Sequence, residues 1–337
     1  MLDGDVIVLL SAAALAFSVL SYVLLDGTDL GVGMLMGLTR SARQRRAMAV
    51  SILPIWDANE TWLVLGGGGL LALFPLAYAI LLPALYVPFI AMFLALLVRA
   101  MAVEFRDSTD NSTIRRGIDA LHLCGSLIAT GCQGAALGTL VQGISSQNGQ
   151  FTGTGWEWIS PFALYCAGGL VVGYAWLGAC WLYWRSEAEL QQTSRWQAQL
   201  LSLATLVLMT ILLAWTASLN PDYAQRLSTP LVMYPAAGIA LTVFITFWAS
   251  FRSRFDVLPL ICALSVFVLA FALIVVTIFP LIVPPDLSIH AAASSETSQS
   301  FMLVGFALLM PVTFVYNTFG FRVFRGKIHS PRARMPE

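Results

Sequence analysis

Charge is scarce in this sequence: 11% of the residues are Asp, Glu, Lys or Arg, against roughly 25% in a soluble globular protein. That excludes a soluble enzyme. Net charge is absent as well, with 18 Lys and Arg against 18 Asp and Glu, so no basic face exists to neutralise phosphates, and nucleic acid is not a partner. Histidine is nearly missing. Only His122 falls in an apolar segment, while His290 lies in an outer loop and His329 in the tail. A protein holding several haems needs paired axial ligands, so neither haem nor another metal centre is expected on this chain alone. Cys124, Cys132, Cys166, Cys180 and Cys262 sit in apolar segments without CxxC spacing, which reads as small buried hydrophobes rather than a disulfide framework or zinc site. Nucleotide loops, HExxH and nucleophile elbows are missing too, so no catalytic residue is expected here. Met1 to Asp5 lack the positive start of a cleaved signal peptide, and the first helix is expected to be retained.

What is present is apolar length. Apolar residues make up 58% of the 337, and runs of about 20, enough to span a bilayer core, recur along the chain. Hydropathy and turn residues predict an all-α polytopic membrane protein, one integral domain over 1–337. Its nine spans lie near 6–38, 48–74, 78–104, 117–143, 159–184, 198–218, 229–250, 257–284 and 301–323. Cations then orient it. Arg40, Arg43, Arg45 and Arg46 follow span one, Arg99, Arg106, Arg115 and Arg116 surround the link from three to four, and Arg185, Arg195, Arg252 and Arg254 fill the next two alternate links. Arg322, Arg325, Lys327, Arg332 and Arg334 end the chain, and the opposite connections hold only Arg226. Seventeen of 18 cations thus fall on one side, which the positive-inside rule makes cytoplasmic. The N-terminus is expected outside and the C-terminus inside, with Asp3, Asp5, Trp156, Glu157 and Trp158 on the outer side.

Small residues recur at three and four spacing in the fourth span, at Gly125, Ala129, Gly131, Gly134, Ala135 and Gly138, and Gly66 to Gly69 interrupt the second. Glycine costs a helix up to about 1 kcal/mol per residue, so close packing by another helix is expected to compensate, and such faces are candidates for a partner.

Charge inside a span costs about 2.5–3.5 kcal/mol per residue on insertion scales and is kept for a role or a partner. Asp26 and Asp29 in the first span, and Asp57 and Glu60 in the second, are each spaced i,i+3 and share a helix face. The first hairpin is expected to bring Asp29 and Asp57 to similar depth in the cytoplasmic half. Arg99 is the candidate counter-charge. Glu104 lies five residues on, about 140° around the helix, which leaves Arg99 free to face the first two spans. These carboxyls outnumber the arginine, so some are expected to carry protons at neutral pH and to be able to pass them. A solvated inner-interface cluster stays open for Asp26 and Glu104; Asp57 is read as functional. His122, beside Asp119, reads as a structural hydrogen-bonded histidine.

At Leu25 to Met34 (LDGTDLGVGM), at Trp56 to Leu63 (WDANETWL) followed by Gly66 to Gly69, and at the helix end from Arg99 to Glu104, the chain resembles subunit II of the cytochrome bd-type quinol oxidases, in the cyanide-insensitive branch. The helix count and a late helix reaching Phe279-Pro280 agree over essentially the whole chain. The resemblance implies a bacterial inner-membrane respiratory complex that oxidises ubiquinol and reduces oxygen to water. Haems b and d are held by the partner, subunit I, and a small single-helix subunit and a structural ubiquinone occur in some members. It implies a proton route through Asp57 and Glu104, with Asp26, Asp29, Glu60 and Arg99 around it, and oxygen access at Trp62 and Trp56. The family can carry aspartate where Glu104 stands and glutamine where Glu60 stands. A proton-coupled secondary transporter is the alternative, since buried acids and glycine-broken helices serve it equally well.

Overall fold

A computed structural model describes residues 4–323 and 326–328; Asp3, Arg325, His329, Arg332 and Arg334 lie outside the described residues. The described chain is nearly all helix: α1 (Gly4–Leu38), α2 (Ala42–Ile52), α3 (Trp56–Leu73), α4 (Pro75–Ala84), α5 (Tyr86–Phe105), α6 (Ser112–Gln142), α7 (Pro161–Arg185), α8 (Ala188–Leu219), α9 (Pro221–Ser228), α10 (Pro230–Ser250), α11 (Leu258–Ile278), α12 (Ile289–Ala292) and α13 (Glu296–Val323). Eight of these are long and apolar enough to cross a membrane, and α3 with α4, bent by 120°, makes up to nine.

Helix starts follow the sequence closely. Asn111 accepts the Thr113 and Ile114 amides at the head of α6, and Ser160 accepts the Ala163 amide at the head of α7. Proline, which has no N–H to lose there, opens α4, α7, α9 and α10. Breaks depart from the hydropathy reading. The expected span 48–74 is divided at Leu53 to Ile55, around Pro54, and the span 78–104 is divided at Leu85 between α4 and α5. Hydropathy averages over such breaks, whereas a proline lacks the amide that an uninterrupted ladder requires. The span 257–284 ends at Ile278: Pro280, Pro284 and Pro285 cannot continue the ladder, and Phe279-Pro280 therefore lies outside the helix. The chain instead forms a short antiparallel pair there, β3 (Leu281–Val283) with β4 (Leu287–Ser288), matching a smaller pair in the α6–α7 connection, β1 (Ser146–Gln147) with β2 (Gln150–Phe151).

The core is built around α1, α6 and α7. α1 and α7 cross backbone to backbone at Gly31 and Gly178, where a Cβ on Gly31 would run into the Tyr174 carbonyl oxygen. Gly31→Ala is expected to push these helices apart at a cost of about 1–3 kcal/mol, visible as a lower thermal midpoint of the detergent-purified protein. The small-residue face of α6 is consumed in the same way. A Cβ on Gly125 would meet the Ala95 carbonyl oxygen on α5, and Cβ atoms on Gly134 and Gly138 would meet Ala167 and Ala163 on α7. Most of the stripe expected to receive a partner thus packs internally, while Gly131 on α6, Gly67 and Gly68 on α3 and Gly305 and Gly320 on α13 have open space beside them. Exposed apolar side chains line α3, α5, α8, α10 and α13, among them Val64, Leu97, Val207, Leu231 and Phe301.

In the α6–α7 loop, Glu157 accepts the Thr154 and Gly155 amides at 2.6 and 2.9 Å and the Thr154 hydroxyl at 3.0 Å. Its slight burial acts to raise the carboxyl pKa, but these hydrogen bonds outweigh it and hold the pKa below the usual value. The carboxylate therefore stabilises the loop above the ordinary glutamate range, and that contribution is lost as pH falls through the lowered value. Hydrogen exchange at Thr154 and Gly155 is expected to quicken on acidification relative to the chemical exchange rate, and not in Glu157→Gln.

Candidate functional site

The half of α1 that carries Asp26 and Asp29 is wrapped by α3, α6 and α7, and both carboxyls are fully buried. α5 contributes Arg99, also buried, from the face opposite its exposed Leu97 and Met101. One Arg99 nitrogen, Nη2, lies 2.9 Å from Asp26 and 2.6 Å from Glu60. Asp29 is held differently, accepting the Asn59 side-chain amide at 2.7 Å. The cluster thus joins α1, α3 and α5 through two ion pairs and one hydrogen bond. Glu60 is its only half-exposed member, with 26% of its side chain accessible.

Asp57 and Glu104 lie apart from this contact. Asp57 sits in the first turn of α3 and Glu104 in the last turn of α5, both exposed, and neither makes a hydrogen bond or ion pair among the described residues. At 1.5 Å per residue, Asp57 is about 4.5 Å along its helix from Glu60, and Glu104 about 7.5 Å from Arg99. Asp29 therefore meets Asn59 rather than Asp57. Trp62 is fully buried, edge-on to Phe17 with centroids 5.6 Å apart, and Trp56 is half-buried against the main apolar core.

A second charged layer closes the α6 side. Asp119 accepts Arg106 Nε at 2.6 Å and Arg45 Nε at 2.7 Å, and Arg106 and Arg46 both reach Asp107. One turn beyond Asp119, His122 places Nδ1 at 3.3 Å from the Arg99 carbonyl oxygen. Because a carbonyl only accepts, Nδ1 carries the proton. Nε2 is packed so closely on α1 that a Cβ at Gly33 would lie 2.7 Å away, leaving no open position for a metal in a porphyrin. His290 is on α12, 3.5 Å from Asp5. The described residues contain no group of three or more His, Cys, Asp and Glu side chains able to hold a metal ion.

Sequence reasoning passed over Asn59, Tyr22, Gln133 and Tyr174. Gln133 donates to the Tyr22 hydroxyl at 2.7 Å, and the Tyr174 hydroxyl donates to Gln133 at 3.0 Å. The available signals were position alone: Tyr22 is four residues before Asp26, and Asn59 lies between Asp57 and Glu60.

The sequence pattern of the family described as cytochrome bd terminal oxidase subunit II matches residues 7–324. The cytochrome bd-I ubiquinol oxidase subunit 2 of Escherichia coli K12 is 26% identical over 371 residues, covering 97% of each chain. That of Bacillus subtilis, a cytochrome bd ubiquinol oxidase subunit 2, is 26% identical over 317 residues and covers 91% of this chain and 92% of its own. A probable cytochrome oxidase subunit 2 of Haemophilus influenzae is 31% identical over 202 residues, 57% of this chain and about half (53%) of that one. Among solved structures, the bd oxidase from Geobacillus thermodenitrificans shares the fold, with a TM-score of 0.77 at 20% identity, covering 95% of this chain and 98% of that chain. These relatives are oxidase subunits, and the transporter reading is set aside on that ground.

Proposed function

The chain belongs to the cytochrome bd terminal oxidase subunit II family and is part of a quinol-oxidising, oxygen-reducing membrane complex, and from that premise we propose that it carries protons from the cytoplasm toward the oxygen-reducing site of subunit I. The observation that carries this reading is the Arg99 cluster with its one half-exposed carboxyl. Oxygen reduction consumes protons in a dry interior, and a path of carboxyls is how a membrane protein supplies them. Asp57 and Glu104 stand exposed on the inner side of the Glu60–Arg99 pair, where they can collect protons and pass them by way of Glu60. On the α6 side, the Arg45 and Arg106 guanidiniums around Asp119 repel an incoming proton. That leaves the α3 face as the open side.

This route sets the orientation, with the inner ends of α3 and α5 cytoplasmic, the N-terminus outside and the C-terminus inside, in a bacterial inner membrane. The packing of His122 supports haems b and d residing on subunit I, whose chemistry is electron transfer from ubiquinol to oxygen; this chain's part is to hold and move protons. The exposed apolar faces of α3, α5, α8, α10 and α13 are available to lipid, to subunit I and to a small single-helix subunit. The seat this chain offers a structural ubiquinone is the cavity of about 280 Å³ between the start of α3 and the end of α13, walled by Ile55, Tyr316 and Phe319 and lined also by Asn59 and Asn317.

Co-expression with subunit I is expected to yield a heterodimer carrying all the haem, and this chain expressed alone to carry none; haem retained by the isolated chain would reverse the assignment. Trp62 is assigned to the oxygen route. Trp62→Phe is expected to change the apparent oxygen affinity of the complex by about threefold or more before it changes quinol affinity, since one altered contact is worth about 1 kcal/mol. A loss of assembly with unchanged affinities would make Trp62 a packing residue only.

A further inference from the structure

Three carboxyls share one guanidinium at this site, and their surroundings differ enough to separate their roles. Asp26 has no exposure and is ion-paired to Arg99. Asp29 is equally buried, has no cation in contact, and accepts a hydrogen bond from the neutral Asn59 amide. Glu60 is ion-paired but partly accessible. A buried guanidinium needs one anion, and a buried carboxylate without a cation is far costlier than a carboxylic acid.

Tyr22, one turn before Asp26 on α1, faces that carboxyl, though without the alignment of a strict hydrogen bond. Its oxygen already accepts the Gln133 amide nitrogen, and the other end of that amide accepts from Tyr174. Tyr22 is 5% exposed, so its hydroxyl hydrogen must find a buried acceptor, and Asp26 is the one it faces. The direction of this series is thereby set: Tyr174 gives to Gln133 and Gln133 to Tyr22 by hydrogen bonds, and the Tyr22 hydroxyl turns toward Asp26. A primary amide cannot relay a proton as a carboxyl or hydroxyl can, because its nitrogen does not titrate.

We propose that Tyr22, Gln133 and Tyr174 are positioning residues that hold Asp26 as the fixed anion of Arg99 and close the cluster toward the bundle interior, so that Glu60 is the carboxyl that exchanges protons and Asp29 stays neutral. The groups facing Asp26 are Tyr22 and Asp29 on α1, Glu60 on α3, Arg99 on α5 and Tyr174 on α7, with Gln133 of α6 behind Tyr22. Of these, only Glu60 combines a titratable group with access from outside the core. The inference rests on the proton-delivery reading and assigns the roles within it.

Infrared difference spectra of the assembled complex, titrated between about pH 5 and pH 9, test it through the carbonyl band of protonated carboxyls. Wild type is expected to show a titrating band that shifts with carboxyl-labelled glutamate, not aspartate, and that Glu60→Gln removes. Tyr22→Phe is expected to add a second titrating band that shifts with labelled aspartate and is lost in Tyr22→Phe/Asp26→Asn. Gln133→Leu, which frees Tyr22 to turn away, is expected to do the same and serves if Tyr22→Phe fails to assemble. A wild-type titrating band from aspartate that persists in Glu60→Gln would overturn the assignment, as would no titrating band at all. Spectra of Tyr22→Phe and Gln133→Leu identical to wild type would overturn the positioning role. Normal turnover in Asp57→Asn/Glu104→Gln would remove the cytoplasmic route while leaving these bands in place, so the two failures are distinct.

Discussion

Arg99→Met is expected to abolish accumulation of the assembled complex in the membrane. Arg99 contacts Asp26 at 2.9 Å and Glu60 at 2.6 Å from the buried end of its side chain, and methionine fills similar space without charge. Removing one partner of a buried pair costs about 3–5 kcal/mol, because the other is left charged in a medium that cannot solvate it. Glu60 can turn toward the accessible side, but Asp26 cannot, so the penalty falls on α1 against α5. Arg99→Lys keeps the charge at a single point and is expected to be intermediate. The decisive variant is Arg99→Met/Asp26→Asn, which removes both ions and is expected to recover part of the assembly lost in the single mutant. Quantifying haem-bearing complex per unit of membrane protein reads all three. Equal yields from wild type and Arg99→Met would mean that the ion pair does not hold the helices together.

The cost of charge in a membrane helix makes Asp26, Asp29, Asp57, Glu60 and Arg99 legible in the sequence alone, because each stands out against apolar neighbours. Partners without charge carry no such mark. Asn59, which holds Asp29, and Gln133, which holds Tyr22, read as ordinary polar residues, and only tertiary packing brings them to the cluster. Similar depth for Asp57 and Asp29 follows from an unbroken second helix. The break around Pro54 starts α3 at Trp56, so Asp57 falls in a first turn, where an exposed acid also complements the free amides of the helix start. Periodicity likewise gave the glycine stripe on α6 no direction, since close approach by α7 and by a foreign helix require the same small residues. The 120° turn between α3 and α4 at Phe74 and Pro75 was equally silent, because hydropathy measures depth and not heading.

The second large effect concerns the exposed acid. Asp57→Asn is expected to leave assembly and haem spectra unchanged while turnover falls about a hundredfold, the low end of what loss of a proton-transferring group produces. Asparagine keeps the size of the side chain and its hydrogen bonding but cannot titrate. Asp57 makes no ion pair or hydrogen bond among the described residues, so its amide should cost the fold little, in contrast to Arg99. The next carboxyl inward is Glu60, about one turn along α3, and without Asp57 a proton must reach it across an apolar surface or by way of Glu104. Asp57→Asn/Glu104→Gln is therefore expected to lose more turnover than either single change if both collect protons, and no more than Asp57→Asn if only Asp57 does. Proton uptake per oxygen reduced, measured in liposomes, should stay at its wild-type ratio in every variant that turns over, because delivery limits the rate and not the stoichiometry. A fully assembled Asp57→Asn complex with wild-type turnover would take Asp57 out of the route and leave Glu104 as its cytoplasmic mouth.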